Sequence, residues 1–187
     1  MIRSMSKNYY IKFIYLFIFS IAFAFIESSV VIYIRQLFYP QGFEFPLTSG
    51  FSGFLLYIEI IREFSTIVVI FMSALISGKK LMDRFAYFIF IFAVWDIFYY
   101  IWLWALIGWP SSLLTWDVLF FIPYTLVGPV YAPVIVSLVF IFSGMMIIHV
   151  QKRQVTLRST PRFWIMEILA FGLVYTSMVW ESKVGTL

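Results

Sequence analysis

Apolar runs of about twenty residues recur along the chain with short polar breaks between them, and that is the length an α-helix needs to cross a hydrocarbon core of about 30 Å. The pattern leaves little chain for anything but loops. Of the 187 residues, 63% are hydrophobic and 12% charged, a charged fraction about half that of an ordinary soluble domain. The chain is therefore expected to be an all-α integral membrane protein, a single polytopic domain over residues 1–187. Five spans are predicted, at residues 11–34, 54–76, 85–107, 130–150 and 163–180, which defines a five-helix transmembrane bundle.

The breaks carry the orientation. Arg3, Lys7 and Lys12, then Lys79, Lys80 and Arg84, then Lys152, Arg153, Arg158 and Arg162 fall on every second loop, while the opposite loops hold Arg35, Glu44, Asp117, Glu181 and Lys183. Basic loops stay on the cytoplasmic side. This predicts a multi-pass protein of the cell (inner) membrane with its N-terminus cytoplasmic and its C-terminus outside. The start imitates a secretory signal, with basic residues before the apolar run Phe13 to Ile21 and with Ala22 and Ala24 at cleavage-like spacing. Apolar character resumes through Phe25, Val30 and Ile34, which predicts an uncleaved first span.

Residues 109–129 are apolar enough to suggest a sixth crossing, but that would move the basic run 152–162 to the outer side, against the charge rule. Pro110, Pro123, Pro129 and Pro133 punctuate the stretch, and Ser111 to Asp117 has the composition of a helix start. A short re-entrant or interfacial helix between spans 3 and 4 is the expectation, allowed at membrane depth only where it lies against protein or water.

Charged residues inside the spans are the feature that calls for a function. An ionised side chain near the centre of a spanning helix costs roughly 2.5 to 3.5 kcal/mol unless it pairs, protonates, binds a cation or faces water. Counting residues from the span ends places Glu27, Glu59, Arg62, Glu63 and Asp96 in one central-to-outer layer. Glu59, Arg62 and Glu63 share a helical face through their i, i+3 and i, i+4 spacings, and Ser65 and Thr66 extend it. Ser28, Tyr99 and Tyr100 supply hydroxyls at the same level, and Arg35 and Asp117 are placed to close the top. Four negative charges face one positive in this layer, an excess that predicts a protonated carboxylate or a bound cation.

The same inventory excludes other chemistry. With no cysteine and one histidine, haem attachment through cysteine, an Fe-S cluster and a Ser-His-Asp arrangement in the acidic layer have no residues to build them. His149 lies at the inner end of span 4, far from that layer. Oxygen ligands alone would suit a divalent ion such as Mg, Ca or Mn, so a cation of that class is the one candidate cofactor, with no cofactor the default. The basic residues form inter-helix clusters rather than one face, which argues against nucleic acid as a partner. Glu167 is expected near the inner interface, without a role.

The leading expectation is a small membrane protein with an outward-facing acidic and arginine-containing pocket that binds or relays a proton or other cation. Its partners would be the lipid bilayer and other membrane subunits, or further copies in a homo-oligomer. Two alternatives stay open: an intramembrane enzyme acting on a lipid or isoprenoid head group at the outer leaflet, and a structural scaffold or assembly subunit with a self-satisfied ion-pair network. No catalytic motif is present, so a non-enzymatic role is preferred.

Overall fold

The computed structural model describes residues 2–39, 53–120, 126–153 and 160–184. Side chains are described from Tyr10 onward, apart from those at positions 152, 171, 174, 175 and 177–184 within helices. The expected loop charges Glu44 and Arg158, the side chains of Arg3, Lys7, Lys152, Glu181 and Lys183, and Pro123 in the re-entrant segment lie outside what is described.

Five helices and one hairpin follow in order: α1 (Ile2–Phe38), α2 (Gly53–Ser77), α3 (Leu81–Ile107), β1 (Trp116–Phe120), β2 (Leu126–Pro129), α4 (Tyr131–Lys152) and α5 (Pro161–Val184). Four of the helices, α1 to α4, are long and apolar enough to cross a membrane. The expected fifth crossing falls on α5, whose side chains from 177 to 184 are among those not described.

The third helix is the centre of the fold. It packs against α1, α2 and α4, and its buried residues, among them Ala86, Tyr87, Phe90, Ile91, Val94 and Trp95, run all the way around it. A helix apolar on every side is one that neighbours enclose. Along α1, Phe13 meets the rings of Tyr87 and Phe90, while further up Phe25 meets Trp102, so α1 and α3 run parallel. The second helix presents one stripe, Glu59, Glu63, Thr66, Ile70 and Ala74, at the three- and four-residue spacing of a packed face. Three of those five residues are polar. The α4 contact is close because Gly144 has no side chain: a Cβ there would stand 2.7 Å from the Ala86 carbonyl oxygen.

Local chemistry sets the ends of these helices. Between α2 and α3 the carboxylate of Asp83 accepts the Lys80 backbone N–H at 3.2 Å, the reciprocal half of a capping box. At the other end of α3, Gly108 takes φ 67° and donates its N–H to the Trp104 carbonyl, a left-handed stop that a residue with a Cβ resists. Hydroxyls within the helices bond back one turn: Ser20 to Leu16, Ser28 to Ala24, Ser65 to Ile61 and Ser73 to Val69. Such bonds satisfy serine in an apolar setting without an inter-helix partner, and Ser65, expected on the polar face of α2, is exposed in this way.

Helix α3 ends in a hairpin rather than in the short helix expected over 111–117. The strands pair antiparallel, Asp117 opposite Gly128 and Val118 opposite Val127. Two causes are visible. Ser112 and Thr115 turn the chain on itself, with the Ser112 N–H on the Thr115 hydroxyl and the Thr115 N–H on the Ser112 carbonyl, so side chains occupy groups that a helix would use. Beyond them Val118, Phe120 and Val127 favour a pleated surface. Pro129 ends the pairing, and Pro133 falls in the first turn of α4, where a missing N–H costs nothing. Because the strands are antiparallel, the chain returns to the end it left, and α4 starts there.

The hairpin descends into the bundle. The Phe120 ring stacks on Phe92, 6.3 Å between centroids, whereas Asp117 sits at the level of Tyr100, about 12 Å further along α3. The base is tied to α4 by bonds from the Val130 and Tyr131 N–H groups to the Thr115 and Leu113 carbonyls, which satisfy donors a helix start leaves open. The opposite, basic end is marked by Lys12, whose ammonium donates to the Ser77 carbonyl at 2.7 Å. There the first turn of α5 meets α3 through Phe163 and Trp164 on Phe85. Further along, α5 packs against β2.

Candidate functional site

Five carboxylates, Glu27, Glu59, Glu63, Asp96 and Asp117, are buried, each less than a tenth exposed. They fall into three groups around α3.

The first group joins α1 to α2. Arg62 forms an ion pair with Glu27 of α1 and another with Glu59, one turn back on its own helix, at 2.6 Å. Its Nε also donates to the same Glu59 oxygen at 2.7 Å. Thr66 donates its hydroxyl to the second oxygen of Glu27 at 3.0 Å. Glu63 is buried on the same stripe and lies within electrostatic range of both Glu59 and Arg62. Arg62 thus bridges a glutamate of its own helix and one of α1.

A second group closes the hairpin end. Arg35, near the end of α1, pairs with Asp117 of β1 at 3.2 Å, and its guanidinium lies over the Trp109 ring, 3.6 Å from the centroid. That stacking is a cation–π contact, worth about 0.5 to 2 kcal/mol depending on desolvation. The Tyr100 hydroxyl and the Val118 backbone N–H lie beside the Asp117 carboxylate and favour its charged form, while its second oxygen is buried with no hydrogen-bond partner among the described residues. Burial nonetheless outweighs Arg35 and these groups, and the Asp117 carboxyl is pushed up to about 6.

Asp96 forms the third group on the face of α3 toward α4. The Ser137 hydroxyl donates to it at 2.9 Å, and among the described residues it forms no ion pair. Asp117, Tyr99 and Tyr100 lie within electrostatic range of it. Tyr99 connects the three groups, since Arg62, Arg35, Asp117 and Asp96 all act on it, and its carbonyl accepts the Ser28 hydroxyl at 3.1 Å.

The described residues gather these groups into two arginine-centred knots, Glu27–Arg62–Glu59 and Arg35–Asp117, and an aspartate, Asp96, for which they hold no ion pair. Sequence reasoning missed Ser137 and Trp109. Ser137 is one of two serines in α4, and no sequence signal separates it from Ser143. Trp104 and Trp116 are exposed, as residues of an interfacial aromatic belt are, whereas Trp109 is covered by Arg35. His149 and Glu167 are exposed and take no part. Among the described residues no three His, Cys, Asp or Glu side chains converge as a metal ion would need, so the candidate divalent cation has no donor set there. No protein-family model matches the chain, and no curated protein or solved structure matches it either.

Proposed function

We propose that the chain takes up and relays a proton through the Asp117, Tyr100 and Asp96 groups, as a multi-pass membrane protein working with other membrane subunits or further copies of itself. In this reading α5 is a fifth crossing, the basic end is cytoplasmic and the hairpin end faces outward, following the distribution of Lys and Arg. The observation that carries it is the surroundings of Asp96. A carboxylate inside a membrane protein persists where it is paired, protonated or beside a cation, and Asp96 is met by a neutral hydroxyl. Tyr100, one turn along the same helix, is within electrostatic range of both Asp96 and Asp117 and so stands between the buried aspartate and the outer knot. A phenol can donate and accept, which suits it to pass a proton between two carboxyl groups.

The Glu27–Arg62–Glu59 knot favours a structural role for the other half of the layer. Its charges are mutually engaged, and it joins α1 to α2, each of which also packs on α3. That makes a scaffold the second reading for the whole protein.

The test is proton flux into liposomes holding the purified protein and an entrapped pH-sensitive dye, under an imposed membrane potential. Flux is expected with the unchanged chain, and Asp96→Asn should reduce it to that of protein-free liposomes while leaving insertion intact. Equal flux in the two proteins would eliminate the relay and leave the scaffold.

A further inference from the structure

The cations of the described side chains divide by their surroundings. Arg35 and Arg62 are engaged by carboxylates within the bundle, and Lys12 is partly buried against the Ser77 carbonyl and the Tyr87 ring. The exposed ones, Lys79, Lys80, Arg84, Arg153 and Arg162, all stand at the basic end. Arg84 donates from its Nε to the Gly78 carbonyl at 3.2 Å, which folds the turn holding Lys79 and Lys80 onto the start of α3. Arg162 precedes Phe163 and Trp164, whose rings meet Phe85, the neighbour of Arg84, at 6.1 and 5.2 Å between centroids. Ser137 meets Asp96 and Gly144 meets Ala86, so α4 runs antiparallel to α3 and delivers Arg153 to the same end. The described acids near these cations are Asp83, whose carboxylate accepts the Lys80 N–H, and Glu167, further along α5.

We propose that this end binds the headgroups of anionic phospholipids, with Lys79, Lys80, Arg84, Arg153 and Arg162 as a cationic rim. Charge complementarity gives the partner its sign, since lysine and arginine held close to a membrane surface attract acidic lipid. The surface beside the rim gives its class. Ile76, Leu81, Ile165 and Met166, within a few residues of these cations, are 83%, 57%, 56% and 70% exposed. A headgroup on the rim therefore has its acyl chains against apolar helix, a combination that a phosphate ion or an acidic peptide does not use. Arginine and lysine stems can lie along such a surface while their charged heads reach the phosphates. Trp164, partly buried on Phe85, is of the residue type that settles at headgroup depth. The rim uses none of the buried carboxylates, so it stands or falls separately from the proton relay.

A ligand bound by the folded state alone raises the melting temperature, which makes thermal unfolding of the purified chain in mild detergent the test. Phosphatidylglycerol added to the micelles should raise it by about 2 to 4 °C once present at roughly five times its dissociation constant. Phosphatidylcholine at the same mole fraction should leave it unchanged, and so should inorganic phosphate at the same concentration. Two double variants, Lys79→Gln with Lys80→Gln and Arg153→Gln with Arg162→Gln, should each lose about half of the phosphatidylglycerol shift or more. Arg84 is left in place because it also holds the Gly78 carbonyl. All four substituted side chains are exposed; should one double variant fail to elute as the parent does in size exclusion, the other carries the same expectation. Equal shifts with the two lipids, or an undiminished shift in a folded double variant, would overturn the rim. A shift with phosphate equal to that with phosphatidylglycerol would replace the lipid by a small anion and overturn it as well.

Discussion

Thr66 of α2 donates its hydroxyl to the carboxylate of Glu27 on α1 at 3.0 Å, and the other oxygen of that carboxylate pairs with Arg62. Glu27 is therefore held by two groups of a neighbouring helix. Both polar partners come from a helix that buries only a narrow stripe, so the knot fixes how α2 is rotated about its axis. Apolar packing alone would tolerate other rotations, because α2 is apolar on its remaining sides as well.

Arg62→Met should be among the most damaging substitutions in the chain. Removing one partner of a buried ion pair costs roughly 3 to 5 kcal/mol because the charge left behind has no compensation. Combining it with Glu27→Gln and Glu59→Gln removes those charges and should recover much of the loss. Thermal unfolding in mild detergent measures both. A triple variant no more stable than Arg62→Met alone would show that the knot contributes by shape rather than charge.

Gly144→Ala should destabilise the α3–α4 contact. The added Cβ would meet a backbone oxygen at 2.7 Å, and backbone cannot rotate away as a side chain can. Overpacking of this kind costs roughly 1 to 3 kcal/mol, more than the 0.5 to 1 kcal/mol that alanine gains over glycine in a helix. Gly172→Ala, where a Cβ would meet nothing within 4 Å, is the control and should be neutral or stabilising. Melting temperatures of the two variants should move in opposite directions, or only the first should move.

Stability should depend on pH through Asp117. Its carboxyl lies above its ordinary 3.8, at about 6, because burial outweighs the Arg35 attraction. The structured hairpin therefore holds the proton more tightly than an opened one. Its contribution is complete below about pH 4 and is lost as the pH rises through about 6. The groups facing Asp117 are Arg35 from α1 and Tyr99, Tyr100 and Asp96 from α3. Thermal unfolding in mild detergent should show stability falling across this window, and Asp117→Asn should flatten the profile. A rise in stability over the same range would contradict the assignment to Asp117.

Helical rise converts residue number into depth, which is why the sequence led to the expectation that Glu27, Arg62 and Asp96 share one level. It gives no means of naming partners, because pairing depends on how each helix is turned. Arg62 forms ion pairs with Glu59 and with Glu27 of another helix, and Glu63 faces inward on the stripe with Thr66 and Ile70. Between α3 and α4 the difficulty was of another kind. A short apolar run bounded by prolines suits a strand or a helix equally by periodicity, and the hydrogen bonds of Ser112 and Thr115 decide between them. The basic run that follows was the reason to expect no crossing there.

The pairing of Arg62 with Glu59 lies within a single helix, and this matters before any tertiary contact exists. During biogenesis α2 meets lipid as an emerging segment, ahead of the central helix on which it will rest. An arginine three residues from a glutamate on one face can enter the bilayer as a locally neutral unit, with no need to wait for a partner from another segment. Glu27 then completes the arrangement once α3 has gathered α1 and α2, so membrane integration and assembly become separable steps.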